Sequence, residues 1–412
     1  NDNLFKSALV VTVTLGGAAR AGLGVDALVN VASALLILPF FLFSALAGQL
    51  ADKLDKARLI RALKLTEVAV MGLAALGFHL GSLPLLLGAL FLMGAQSAFF
   101  GPVKYGILPQ HLAANELVRG NGLVEMGTFV AILGGTLVGG LVIALPAVGT
   151  LVTTALLVRV AAAGFLAARQ VPDAPPSAPE LELDWNLARG TWRTLSIARA
   201  NRPAWKSIVG ASWFWFLGAL LLAQLPLIAT AHLGGDAHTI TVLLALFTVG
   251  IGIGSLASDR LTGGRIELGH VAPASLVMTG LLVDLGLAIA GAPGDGHVPF
   301  RVGLDLTLLG LAGGLFIVPL YALMQERSEA KERARIVAAN NVLNALFMVG
   351  AALFAIALRA AGLSLPSLLL ATAALSLVAT AVAAVLTRDF VLRLLIGGAV
   401  RVLYRVKARG LE

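Results

Sequence analysis

The chain has 412 residues, of which 58% are hydrophobic and 13% charged, and its mean hydropathy is +0.92. Soluble domains carry about 25% charged residues, so this composition excludes an ordinary water-soluble fold. The net charge is +8, but the basic residues lie in alternate loops and lack the clustered face that a nucleic-acid-binding protein needs. There is no cysteine, which excludes disulfides and thiolate metal sites. We therefore expect no nucleic-acid partner, metal or cofactor.

A membrane-spanning helix needs about 20 mostly apolar residues, and such stretches follow one another along nearly the whole chain. In the first half the predicted spans cover 1–18, 25–50, 58–80, 83–108, 115–145 and 147–168. In the second half they cover 205–231, 238–259, 267–291, 299–325, 333–361 and 364–387. The sequence thus predicts an all-α polytopic membrane protein with twelve transmembrane helices, in six-helix bundles over 1–168 and 205–387.

A proline-rich segment, PDAPPSAPELELD, separates the two halves and cannot be helical. After it, apolar residues recur at helical spacing with arginines around them: Leu181, Trp185, Ala188, Trp192 and Leu195. We therefore predict a cytoplasmic linker over 169–204 with an amphipathic helix. That helix either lies in the membrane interface or is solvated.

The distribution of Lys and Arg predicts the orientation in the membrane. The loops after the even-numbered spans are rich in basic residues, including Lys53, Arg119, Arg189, Arg265 and Arg327. The opposite loops offer little beyond Arg20, Arg301 and Arg359. Because basic loops stay in the cytoplasm, both termini are predicted to be cytoplasmic.

One loop sequence occurs twice, half a chain apart. GQLADKLDKAR ends the second span and GSLASDRLTGGR ends the eighth, and each places an Asp and basic residues after a small residue. Asp52 and Asp259 can bind the amides and positive dipole at a neighbouring helix start. Arg58 and Arg265 can pair with a carboxylate or with the last carbonyls of a helix. We interpret the four as conformational latches, the alternative being that each only caps its own helix.

A second duplication supports the first. The segment from Phe99 is echoed by the segment from Phe316, with Pro102 against Pro319 and Asn121 near Asn340. Together these repeats resemble the major facilitator superfamily, in which two pseudo-symmetric six-helix bundles enclose a central cavity. The resemblance extends over essentially the whole chain and implies the major facilitator fold.

Ionisable residues inside predicted spans are informative, because each costs about 2.5 to 3.5 kcal/mol at mid-bilayer unless it finds a partner or water. Asp2 and Lys6 lie four residues apart, which favours a local ion pair. Lys104 lies late in the fourth span beside Tyr105, and Asp284, Asp305 and Arg159 are further candidates.

Glu125 follows Asn121 by one turn of the fifth span, so the two side chains share a helix face. A cavity that holds lysines beside carboxylates suits a zwitterion, because the cations meet a phosphate and the carboxylates meet an ammonium. The alternative is that these charges pair with one another for packing or reach the interface.

Three segments, NDNLFKSALV, GPVKYGILPQ and ELVRGNGLVEMGT, resemble the bacterial lysophospholipid transporter family. They also resemble the transporter portion of fused relatives, in which the carrier precedes an acyltransferase and an acyl carrier protein synthetase. The resemblance implies a flippase, not an enzyme, that brings lysophospholipid from the outer to the inner leaflet of the bacterial inner membrane for reacylation. It implies these substrate-binding residues: Asp2, Asn3, Lys6, Lys104, Tyr105, Asn121 and Glu125.

The resemblance also implies partners: lysophospholipid, membrane lipids, and an acyltransferase domain in cis or in trans. The tail over 388–412 is predicted to be amphipathic and to lead into such a domain. A proton-coupled drug antiporter of the same fold is the alternative function, since Asp2 or Glu125 suits a titrating acid equally well. No nucleophile, metal cluster or phosphate loop favours an enzyme.

Overall fold

The computed structural model describes residues 1–14, 25–386 and Ile396, and the described part consists of helices and the turns between them. The helices of the first half are α1 (Asp2–Thr12), α2 (Val25–Lys53), α3 (Lys56–Leu80), α4 (Leu83–Gly106), α5 (Leu117–Ile143) and α6 (Gly149–Ala168). Then come α7 (Leu187–Ala200), α8 (Arg202–Leu227), α9 (Ala237–Thr262), α10 (Val271–Ala290), α11 (Phe300–Glu326), α12 (Arg333–Ala360) and α13 (Leu365–Leu386). The predicted all-α membrane fold is confirmed. The helix ends agree with the predicted ones within a few residues, apart from the end of the first span at 18, which lies outside the described residues.

Ten of the described helices are long and apolar enough to cross a membrane. The two remaining predicted spans are α1, of which a short part is described, and α3, whose first half is charged. With 25 residues, α3 is about 37 Å long and still matches the bilayer thickness. The predicted amphipathic tail over 388–412 lies outside the described residues except for Ile396.

Local sequence fixes where these helices begin and end. Asp55 precedes α3 and accepts a hydrogen bond from the Arg58 amide at 2.8 Å, and Gly81 ends the helix in the left-handed conformation. Asp236 starts α9 through a capping box with Thr239. These caps satisfy amides that would otherwise lack partners at the helix starts.

The described chain forms two compact units. The first contains Asn1–Ala113, Gly127–Ser212 and Met324–Val349. Its core joins α1 to α3, α4 and α6, with Phe5 and Leu9 packed among Met71, Leu90 and Leu157. This packing fixes the position of the start of α1, where several predicted site residues lie.

The second unit contains Ala114–Met126, Trp213–Leu323 and the chain from Gly350 onward. Here α9 and α11 approach so closely that a Cβ at Gly254 would collide with the Leu311 carbonyl. Gly250 lies equally close to the Thr307 carbonyl. These two glycines therefore allow α9 and α11 to pack closely.

Candidate functional site

The first turn of α1 brings polar side chains onto α3 and α4. The Asp2 carboxylate accepts a hydrogen bond from the Ser97 hydroxyl of α4 at 2.6 Å. The Asn1 amide donates to the Glu67 carboxylate of α3, also at 2.6 Å. Within the described residues Asp2 forms no ion pair with Lys6, so the predicted local pair is wrong. The spacing allowed that pair, but Asp2 takes a partner from another helix.

Glu67 is the centre of this network and was not predicted from the sequence. It is 4% exposed, and besides Asn1 it accepts hydrogen bonds from Lys64 at 2.8 Å and from Gln96 at 3.5 Å. The Lys64 ammonium also lies 4.6 Å from the ring centroid of Phe100. We call Asn1, Asp2, Lys64, Glu67, Gln96 and Ser97 the amino-terminal cluster. The cluster carries both charge signs, and its central carboxylate is satisfied by three donors.

Lys104 extends the polar surface along α4. Its ammonium lies 4.4 Å from the ring centroid of Tyr105 and 3.5 Å from the Thr128 hydroxyl of α5. Lys104 follows Ser97 by seven residues, which is about two helical turns, so both lie on one face of α4. Ser97, which binds the Asp2 carboxylate, and Lys104 are thus about 10 Å apart along the axis of α4.

The remaining predicted site residues lie elsewhere in the units. Asn3 contacts Gly135 of α5, and Lys6 is half-buried in the first unit. Asn121 and Glu125 belong to the second unit and are both fully buried. The Asn121 amide donates to the Leu117 carbonyl one turn earlier at 2.8 Å.

The buried Asp52 caps a helix that lies far away in the sequence. Its side chain is completely buried at the end of α2. It accepts hydrogen bonds from the Ala334 amide at 3.0 Å and from the Arg335 amide at 3.3 Å, at the start of α12. The Arg335 guanidinium adds an ion pair at 3.1 Å. Asp52 thereby binds both the free amides and the positive dipole at that helix start.

The arrangement of helices, repeated loops and buried charges agrees with a comparison to known proteins. Residues 5–352 match the Major Facilitator Superfamily. The chain belongs to the major facilitator superfamily. It is a multi-pass membrane transporter.

The relatives of this chain include proteins named as lysophospholipid transporters. The chain is 31% identical over 294 residues to the lysophospholipid transporter LplT of Salmonella gallinarum, which covers 70% of this chain and 68% of that protein. The identity and the coverage are the same for LplT of Salmonella newport.

Solved structures share the fold at low identity. The human organic anion transporter MFSD10 superposes with a TM-score of 0.68 at 16% identity, over 93% of this chain and 97% of that one. The E. coli fucose:proton symporter FucP superposes with a TM-score of 0.65 at 13% identity, over 94% of this chain and 96% of that one. Such likenesses show the major facilitator fold and nothing of the substrate.

The loop sequence that occurs twice, GQLADKLDKAR and GSLASDRLTGGR, is called here the facilitator loop motif. Its second copy differs in structure from the first. The Asp259 side chain is half-exposed and makes no hydrogen bond to the described residues, while its carbonyl accepts the Gly264 amide at 3.2 Å. Arg265 is exposed and forms no ion pair within the described chain. Here α9 continues for three residues past Asp259, whereas α2 ends one residue past Asp52.

Arg58 does not make the predicted contact either. Its side chain is exposed and has no ion pair among the described residues, because it lies on the outer face of the first turn of α3. A second buried cation near Asp52, besides Arg335, is Lys56, which is 1% exposed and donates to the Ser177 hydroxyl at 2.9 Å. The predicted pairing of Arg58 is therefore wrong, and Arg335 takes that role.

The proline-rich linker is fixed to the first unit over most of its length. We call residues 171–186 the strap. The Asp52 carbonyl accepts amides from Ser177 at 3.0 Å and from Ala178 at 2.8 Å, and the Lys53 ammonium donates to the Leu181 carbonyl at 2.7 Å. The strap is non-helical, as its prolines predict, but it is not a free spacer.

Proposed function

We propose that this transporter moves lysophospholipid from the outer to the inner leaflet of the bacterial inner membrane. The 31% identity to two proteins named as lysophospholipid transporters supports the substrate class. The observation that carries the proposal is that one face of α4 carries Lys104 and, at Ser97, binds the Asp2 carboxylate of α1. A zwitterionic head group needs an anion for its ammonium and a cation for its phosphate, about as far apart as the two ends of the head group.

In this proposal each residue has a defined task. Lys104 binds the phosphate, and the Tyr105 ring and Thr128 hydroxyl hold its ammonium in place. Asp2 binds the ammonium of the lipid, and Ser97 holds its carboxylate. Asn3, Lys6, Asn121 and Glu125 are further proposed substrate-binding residues. The transported lipid would then be delivered to an acyltransferase, in cis or in trans, for reacylation.

The test is thermal unfolding and reconstituted flipping with lysophosphatidylethanolamine. Asp2→Asn and Lys104→Met are expected to reduce flipping at least about tenfold, which corresponds to about 1.4 kcal/mol. Saturating lysolipid is expected to raise the Tm of the parent more than that of either variant. Lys206→Met on α8 is a matched control, because its side chain is exposed, and it is expected to flip like the parent.

Two outcomes would contradict this proposal. Normal flipping by both variants would remove Asp2 and Lys104 from the mechanism. Stabilisation of the parent by a cationic drug and not by lysophospholipid would favour a proton-coupled drug antiporter.

The proposed orientation places both termini in the cytoplasm, in keeping with the basic loops. Because the chain has no native cysteine, single cysteines can be labelled from one side at a time. Positions 53, 119 and 327 are expected to react from the cytoplasmic side and positions 147 and 234 from the opposite side. Labelling of position 234 from the cytoplasmic side alone would show that the orientation is the reverse of the one proposed.

A further inference from the structure

The linker helix α7 is basic and carries no acidic residue. Its sequence, LARGTWRTLSIARA, contains Arg189, Arg193 and Arg199. Asn186 caps its start by accepting the Arg189 amide at 3.0 Å. The helix is therefore a defined element with a net positive charge, and its two faces differ in their surroundings.

One face of α7 packs on the end of α2. Gly190, Thr194 and Ala198 recur at helical spacing and are buried. Gly190 lies against Ala45 and Gln49 of α2. These two residues precede Lys53, the last residue of α2, by eight and four positions, or about 12 and 6 Å along the helix axis. Thus α7 lies beside the last turns of α2 and does not cap its end.

The opposite face of α7 has no protein partner among the described residues. Trp192 is 74% exposed and Trp185 just before the helix is 69% exposed. Arg199 follows Trp192 by seven residues and therefore lies on the same face of α7. Exposed tryptophans in a row with arginines are unfavourable in water, but they suit the interfacial layer of a bilayer, where an amphipathic ring meets head groups.

The three arginines of α7 differ in whether they form an ion pair within the described chain. Arg189 makes two hydrogen bonds to Asp184, at 2.8 and 2.9 Å, and this contact holds the pKa of that carboxyl below its ordinary value. Arg189 is thus neutralised by an ionised partner. Arg193 and Arg199 are exposed and form no ion pair within the described chain. Their guanidinium groups can therefore meet an anion outside the protein.

We propose that the outer face of α7 binds anionic phospholipid head groups of the cytoplasmic leaflet. Charge complementarity selects this occupant, since the leaflet is negative and attracts basic residues close to its surface. Trp185 and Trp192 insert at the boundary of head groups and acyl chains, while Arg193 and Arg199 contact phosphates. The proposal uses the orientation given under the proposed function, but it does not require lysophospholipid as the substrate.

The test compares the full chain in nanodiscs of phosphatidylcholine with nanodiscs that also contain phosphatidylglycerol. Amides of α7 are expected to exchange hydrogen at least about tenfold more slowly with phosphatidylglycerol. The double variant Arg193→Gln with Arg199→Gln is expected to lose this difference. The matched double variant Arg169→Gln with Arg260→Gln changes the net charge equally at exposed sites outside α7 and is expected to keep it.

Three outcomes would overturn the proposal. The first is that the α7 amides exchange hydrogen equally fast in the two kinds of nanodisc. The second is that the control double variant loses the difference in exchange to the same extent. The third is that Trp192 fluorescence is not quenched by lipids brominated near the head group, which would point to a soluble partner for this face. Both leaflets of a nanodisc have one composition, so these outcomes are independent of orientation and of flipping.

Discussion

The two copies of the facilitator loop motif have similar sequences and different structures. In the first loop (52–58) the buried Asp52 side chain binds the start of α12 and pairs with Arg335. In the second loop (259–265) the Asp259 side chain is half-exposed and makes no hydrogen bond within the described residues. A repeated motif therefore specifies a loop between two spans, whereas the contact depends on what lies next to it.

The difference begins at the ends of the two helices. In the first loop α2 stops directly after Asp52, so this carboxylate stands at the helix end and reaches a neighbouring helix start. In the second loop α9 runs on to Thr262 and is closed by Gly263 and Gly264, both with positive φ. The amides of both glycines donate to the Asp259 carbonyl, so this end of α9 is closed by its own backbone. One loop binds another helix and the other terminates its own.

The largest expected effect is at Asp52, which we propose acts as a conformational latch. Asp52→Ala leaves the start of α12 and the buried Arg335 without a carboxylate, so we expect a loss of about 3 to 5 kcal/mol in the free energy of unfolding. Asp259→Ala is expected to change it by less than about 0.5 kcal/mol. Thermal unfolding of the purified variants measures both.

The milder Asp52→Asn tests the latch itself. It should shift the populations of inward- and outward-open forms and leave substrate affinity within a given form nearly unchanged. Equal destabilisation by Asp52→Ala and Asp259→Ala would show that the two loops are equivalent after all. Loss of binding by Asp52→Asn in a locked form would show that Asp52 belongs to the substrate site.

An intermediate loss of stability is expected for Gly263→Ala. The first loop has no glycine between Asp52 and Arg58. Its φ of 58° lies in the left-handed region, where a side chain costs about 1 to 2 kcal/mol. Gly263→Ala should therefore lower the Tm by less than Asp52→Ala and by more than Asp259→Ala. Gly280→Ala, in the middle of α10 with open space around it, is the control and should be neutral or slightly stabilising. An unchanged Tm for Gly263→Ala would contradict the idea that the second loop depends on its glycine cap.

The smallest effects are expected at the two arginines that the motif singles out. Arg58→Ala and Arg265→Ala remove exposed side chains without ion pairs in the described chain, so each should change the free energy of unfolding by less than about 0.5 kcal/mol. Arg335→Ala should cost several times more, because it leaves the buried Asp52 without its ion pair. A large effect of Arg58→Ala alone would restore the pairing predicted from the sequence.

Much of the fold is predictable because hydropathy and caps act locally. Long apolar runs fix the spans, and residues such as Asp55, Gly81 and Asp236 fix their ends. The repeated loops, taken together with the second duplication, resemble the superfamily. What is not predictable is which of two similar loops makes a contact, since that depends on how many residues of helix follow the Asp.

The candidate site is predictable only in part. Asp2 and Lys104 stand out as charges in apolar spans, but the partner of Asp2 is Ser97, which spacing along α1 cannot reveal. Glu67 is hard to predict because it follows a run of basic residues that passes for a helix end at the interface. Its signal is nonetheless present, as a single acid among apolar residues from Leu65 to Phe78. Contacts between distant helices supply the remaining information.

The contacts of the strap determine whether the linker is a free tether or a fixed connection. A segment of this length, if it were a free chain, would give a flexible tether of tens of ångströms. Its hydrogen bonds to Asp52 and Lys53, and the packing of α7 on α2, hold the linker against the first unit. Between the end of α7 at Ala200 and the start of α8 at Arg202 only Asn201 is left outside a helix. The covalent joint between the linker helix and α8 is therefore a single residue, and the Asn201 side chain is held by the Arg327 carbonyl and the Ala204 amide.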